Sequence, residues 1–189
     1  MEKSFAKKTA VIGVLGAITI ILGVTHLGFI PWVTGAAITI MPIPVILAAV
    51  LEGPVAGFGV GLIFGIFSMI QAAIAPTGPL DPQFVNPLIS VVPRLFIGPA
   101  AWGVFKLLSP LNRLAGAAGA GIAGSLTNTV LVLGVLGLYK LLPWELILSV
   151  FLANGLPEAG FAAVITVGVT AAWWGIEKKR KKIDLEDSE

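Results

Sequence analysis

Six long apolar runs, at approximately 9 to 29, 34 to 51, 54 to 75, 87 to 108, 115 to 139 and 144 to 175, are separated by Gly, Pro and charge and leave this chain little from which to build a water-facing surface. Each run approaches or exceeds the roughly 20 residues a helix needs to cross the hydrocarbon core. In lipid every backbone N–H and C=O must be satisfied inside its own segment, so the pattern predicts an all-α integral membrane protein with six transmembrane helices. Composition agrees, with 57% of the 189 residues hydrophobic, 12% charged and a mean hydropathy of +0.98, where a soluble domain is nearer half apolar and a quarter charged. Six crossings make one membrane domain of residues 1–176, followed by a short charged tail over 177–189, and leave no room among these residues for a catalytic domain.

The first run follows Lys3, Lys7 and Lys8 in the manner of a secretory signal, but no soluble stretch succeeds it and it reads as a retained helix. Charge then sets the orientation. With both termini on one side, Lys3, Lys7, Lys8, Lys106, Arg113, Lys178, Lys179, Arg180, Lys181 and Lys182 share that side and only Lys140 faces the other. The excess of Lys and Arg marks the cytoplasmic face, so both ends are expected in the cytoplasm, in a multi-pass protein of a prokaryotic cell membrane. The basic tail suits anionic headgroups. Nucleic acid is not an expected partner, because the cations sit at chain ends instead of spreading over a folded surface.

Most reaction chemistry is missing. There is no cysteine and a single histidine, His26, which removes thiolate nucleophiles, Cys-ligated metal and His-built triads. No phosphate loop, G-x-S-x-G elbow or H-E-x-x-H helix is present, so neither an enzyme nor a bound cofactor is expected.

Polar residues at membrane depth are costly and therefore mark candidate sites. In Asn86-Pro87-Leu88-Ile89-Ser90-Val91-Val92-Pro93-Arg94, Asn86 is placed to cap a helix opened by Pro87. Pro93 removes the backbone bond to Ile89 and predicts a kink with the Arg94 guanidinium beside the freed carbonyl. The sixth run repeats the device in Asn154-Gly155-Leu156-Pro157-Glu158, where Asn154 and Glu158 share a helix face and Pro157 frees the carbonyl of Ala153. Two readings stand for Arg94 and Glu158: a buried pair that neutralises itself, or a pocket in which the planar guanidinium takes a ligand carboxylate. Asn128, within Thr127-Asn128-Thr129, is either interhelical glue or a ligand contact. Gln71 and Phe84 lie near the external end, Phe84 in a connection from Pro76 to Val85 that is expected to act as a lid, with Thr77, Asp81 and Gln83. His26 and Trp32 belong to the first external connection, as interfacial residues or ligand contacts, and Trp173 and Trp174 mark the cytoplasmic interface. Small residues at four-residue spacing, Gly57, Gly61 and Gly65 in the third helix and Gly116, Ala120 and Gly124 in the fifth, are expected to pack within the bundle.

Six helices with cytoplasmic ends, small-residue spacing in helix one, the Gly53-Pro54 turn, and the segments Asn86 to Arg94, Ser125-Leu126-Thr127-Asn128-Thr129 and Asn154 to Glu158 together resemble the substrate-binding S component of energy-coupling factor (ECF) vitamin transporters, over residues 5 to 175. The segments are most similar to the pantothenate-type branch. The resemblance implies a protein that binds a water-soluble vitamin or precursor from outside, in a pocket of helices four to six and the external loops, and a pocket arginine suits an anionic one. It also implies docking through helix one, by Ala6, Ala10, Gly13 and Ala17, onto a membrane coupling subunit driven by two ATPase subunits, with toppling in the bilayer to release the cargo. The candidate substrate-binding residues are Arg94, Asn86, Asn128, Asn154, Glu158, Gln71, Phe84 and Trp32. The competing expectation is a self-sufficient small secondary transporter or channel that uses Glu158.

Overall fold

The computed structural model describes residues 2–30, 38–76 and 80–186, and Trp32 and Thr77 lie outside the described residues. Eight α-helices run through it: α1 (Glu2–Val24), α2 (Ile43–Glu52), α3 (Pro54–Ile74), α4 (Pro87–Ser90), α5 (Val92–Leu108), α6 (Arg113–Leu138), α7 (Trp144–Val150) and α8 (Leu156–Glu186). Five segments are long and apolar enough to cross a membrane, at Phe5–Val24, Pro54–Ile74, Pro87–Leu108, Arg113–Leu138 and Trp144–Lys179. They coincide with five of the six apolar runs. The remaining run is only partly helical. Its described residues begin with a two-residue strand, β2 (Ile38–Thr39), paired antiparallel with β1 (Phe29–Ile30), and α2 occupies ten residues, or about 15 Å at 1.5 Å per residue.

That short helix is the centre of the molecule. Ile43 to Val50 are all buried, and α2 packs against α1, α3, α5, α6 and α8. The run is hydrophobic all round because it faces protein on every side. At its end Gly53 adopts a φ of 95°, open to glycine at no steric cost, and Pro54 begins α3 with its φ already helical. The Gly-Pro turn thus lets α3 rise beside α2.

Apolar surface alone does not drive helices together in lipid, so close backbone packing must. The glycine stripe of α3 provides it. A Cβ on Gly57 would lie 2.8 Å from Gly98 Cα, one on Gly65 would lie 2.7 Å from Val91 Cα, and one on Gly61 would press into the backbone oxygen of Arg94. The stripe therefore seats the α4–α5 segment directly on α3. Gly124 of α6 packs in the same way against Ile46 and Ala101, and Gly121 against Ala162 and Ala163 of α8.

The long runs contain the expected breaks. Pro93 separates α4 from α5 at Val91. Ahead of Pro157 the chain makes a π-helical turn over Phe151–Gly155 before α8 begins, the wider turn that appears where an i to i−4 bond is lost. Beyond residue 175, α8 continues to Glu186, so much of the charged tail is a helical extension. Among the described residues the ion pairs lie at the basic end, where Lys7 Nζ is 2.7 Å from Glu52 and 3.7 Å from Glu177, tying α1 to α2 and α8.

Candidate ligand-binding site

A cavity of about 320 Å³ lies at the end of the bundle opposite Lys7, between α3, α5, α6, α8 and the β hairpin. Its size is at the lower end of the range for small-molecule sites. Helical spacing brings the lining residues inward: Phe64, Ser68 and Gln71 on α3; Asn128, Thr129, Val132 and Leu133 on α6; Val150, Asn154 and Glu158 across the π turn; and Thr39 and Met41 from the hairpin end of α2. A recess of about 160 Å³ shares Phe29, Ser68, Gln71, Phe84 and Arg94 and reaches Asp81.

Arg94 is 6% exposed. Its Nη1 donates to Ile89 O at 2.6 Å, the carbonyl that Pro93 leaves without its helical donor. The guanidinium carbon lies 5.3 Å from the centroid of Phe64 and 5.3 Å from that of Phe84, within reach of a cation–π attraction. Its Nε is buried and has no hydrogen-bond partner among the described residues. A buried charge in an apolar site costs free energy unless paired; here one carbonyl and two aromatic rings meet part of that need, and an N–H remains to be satisfied. Pro93→Ala supplies a competing backbone N–H for Ile89 O. We expect it to leave helix content in circular dichroism unchanged and to weaken binding of an anionic ligand roughly tenfold, the scale of one charged hydrogen bond.

Glu158 is 7% exposed and is not paired with Arg94. Its Oε1 accepts the Thr39 N–H at 2.8 Å and its Oε2 accepts the Thr129 hydroxyl at 3.2 Å. Asn128 Oδ1 beside it is buried and has no donor among the described residues. The lining therefore offers both a cation, at Arg94, and acceptors, at Glu158 and Asn128. No group of His, Asp and Glu among the described residues is arranged to hold a metal ion.

Comparison with known proteins bears on this geometry. A family model described as "ECF transporter, substrate-specific component" matches residues 7–170, from the start of α1 to well within α8, and so includes every residue of the cavity. The chain belongs to that family. This ECF component is also 30% identical over 191 residues to the pantothenic acid transporter PanT of Lactococcus lactis subsp. cremoris (strain MG1363), across 91% of this chain and 96% of the relative. Both matches are to transporters.

Of the residues singled out in the sequence, the ECF component brings Arg94, Asn128, Asn154, Glu158, Gln71 and Phe84 to one cavity. Asn86 is not in the lining. Its side chain accepts the Leu88 N–H at 2.9 Å and its backbone oxygen takes the Ser90 hydroxyl at 3.0 Å, so it caps the turn that carries Arg94 toward the cavity. Gln71 also donates to Gly23 O at 3.4 Å, joining α3 to the end of α1. His26 is exposed, with a φ of 58° in the turn after α1, and lines no part of the cavity. The connection after α3 holds a 3₁₀ turn at Asp81–Val85, which places Phe84 over Arg94. Sequence reasoning passed over Phe64, Ser68 and Thr39. Counting back from Gln71 by three and seven positions on α3 reaches Ser68 and Phe64; Thr39 bonds Glu158 through its backbone N–H, which no side-chain pattern signals.

On α1, Ala6, Ala10, Gly13 and Ala17 are exposed, and a Cβ on Gly13 would meet nothing within 4 Å. Gly16 and Gly23 face inward, against Ile63 and Phe67 of α3. The helix thus has one packed face and one bare face of small residues.

Proposed function

We propose that this ECF component captures pantothenate, or a hydroxylated acid closely like it, from outside the cell and delivers it inward only as part of a complex. The observation that carries the reading is the buried, incompletely satisfied guanidinium of Arg94 in a cavity of ligand size, in a chain that resembles PanT over nearly its whole length. The ligand carboxylate binds Arg94, where a planar anion meets a planar fork of donors. The bare face of α1, with Ala6, Ala10, Gly13 and Ala17, docks onto a membrane coupling subunit worked by two ATPase subunits. Both termini lie in the cytoplasm, as the distribution of Lys and Arg requires, and the cavity opens outward.

Calorimetry on the purified chain tests the first part: pantothenate binds saturably, and absence of heat at millimolar ligand rejects the reading. In liposomes the chain alone is expected to accumulate no ligand; uptake without partners would favour the secondary-transporter alternative built on Glu158. Gly13→Leu tests the docking face. Because a Cβ on Gly13 would meet nothing within 4 Å, the variant should bind ligand with unchanged affinity while uptake by the complete complex falls at least tenfold; normal uptake would show that the coupling subunit docks elsewhere.

A further inference from the structure

The cavity is chemically asymmetric. At Arg94 the cavity offers a buried guanidinium whose Nε has no acceptor among the described residues, with Ser68 and Gln71 in the same lining and Asp81 in the adjoining recess. Elsewhere in the lining, Glu158 and Asn128 present acceptors. Each oxygen of Glu158 takes one bond from the chain, from Thr39 N–H and from the Thr129 hydroxyl, while a carboxylate accommodates about four. Asn128 Oδ1, one residue from Thr129, is buried without a donor. Two acceptor residues with capacity to spare in one cavity lining call for hydrogen-bond donors on whatever fills the space.

Building on the reading above, we infer that the cavity takes its ligand in one direction only, with the carboxylate at Arg94 and the hydroxyl-bearing end at Glu158 and Asn128, and that Glu158 and Asn128 are the residues that select a hydroxylated acid over a plain one. Glu158 is then a ligand contact and not a counter-ion for Arg94. Its bonds to Thr39 and Thr129 serve to fix the carboxylate, so that its remaining lone pairs point into the cavity at no further ordering cost. A site built to bond a hydroxyl rejects the analogue that lacks it, because the buried acceptors are left unpaired. An apolar acid of similar length would satisfy Arg94 and still be excluded.

The test compares pantothenate with two analogues in the full-length chain by calorimetry: the alcohol in which the carboxylate becomes a hydroxymethyl group, and the deoxy compound in which the hydroxyls of the acyl end become hydrogen. In the unaltered protein each change is expected to weaken binding about 100-fold. In Glu158→Gln, and independently in Asn128→Ala, the penalty for the deoxy compound should shrink to a few-fold, while the penalty for the alcohol stays near 100-fold. A deoxy penalty unchanged in both variants, or an alcohol penalty that shrinks instead, overturns the inference. If Glu158→Gln fails to fold, as judged by thermal unfolding in detergent, Asn128→Ala decides alone. No binding of pantothenate to the unaltered protein would instead reject the reading under Proposed function, so the two failures are distinguishable.

Discussion

Arg94→Ala is expected to weaken pantothenate binding by about 2–5 kcal/mol, the usual cost of truncating one partner of a buried, hydrogen-bonded charge pair, which is roughly 30-fold to several-thousand-fold in Kd. Three losses combine. The ligand carboxylate is left without its cation, Ile89 O loses the donor that compensates for Pro93, and Phe64 and Phe84 lose the group held between them. Arg94→Lys separates charge from shape. An ammonium keeps the attraction but cannot reproduce a fork that bonds Ile89 O and the ligand together, so it should recover only part of the affinity. Calorimetry on both variants decides the matter, and a Kd unchanged in Arg94→Ala would remove this residue from the site.

Gly61→Ala is expected to be the most damaging single-methyl change in the protein. In an unencumbered helix, alanine is better than glycine by about 1 kcal/mol. At position 61 the added Cβ would be driven into the backbone oxygen of Arg94, and relief requires α3 and α5 to separate. Overpacking of this kind costs about 1–3 kcal/mol, more than the propensity gain, and here the strained partner is backbone that cannot swing aside. We expect a lower unfolding temperature in detergent together with a tenfold or greater loss of ligand affinity, since the displaced segment is the one that carries the guanidinium. Gly103→Ala on α5, where a Cβ meets nothing within 4 Å, is the control and should be neutral or stabilising. A Gly61→Ala protein as stable as the control would mean that the α3–α5 contact is looser than described.

The spans were legible in the sequence because lipid imposes one requirement on all of them, and the breaks at Pro93 and Pro157 were legible because a missing N–H acts locally. The second run was harder. Hydropathy alone does not distinguish a helix that crosses from one that is merely surrounded by protein, and residues 38 to 42, apolar though they are, form a strand and a turn. At the cavity, Arg94 and Glu158 stood out as charges in apolar surroundings, and the structure brings them to one space without pairing them. The aromatic partners of Arg94 did not stand out, since Phe64 is one apolar residue among many in α3 and its role depends on a glycine-mediated contact between distant segments. Asn86 was read as a ligand contact as well as a cap; only the geometry of the chain shows its side chain spent on Leu88. Trp32 lies outside the described residues.

The half-length of α2 has one more consequence. A bilayer core is about 30 Å thick, and the central post of the bundle stands only about half that tall. Met41, just ahead of its first turn, lines the cavity. The vacancy for cargo is thus made by subtraction: four long helical segments line it and continue upward where the post has stopped. Each additional turn on the post would raise the floor by about 5.4 Å, so the depth available to a guest is governed by the residue at which this one helix begins.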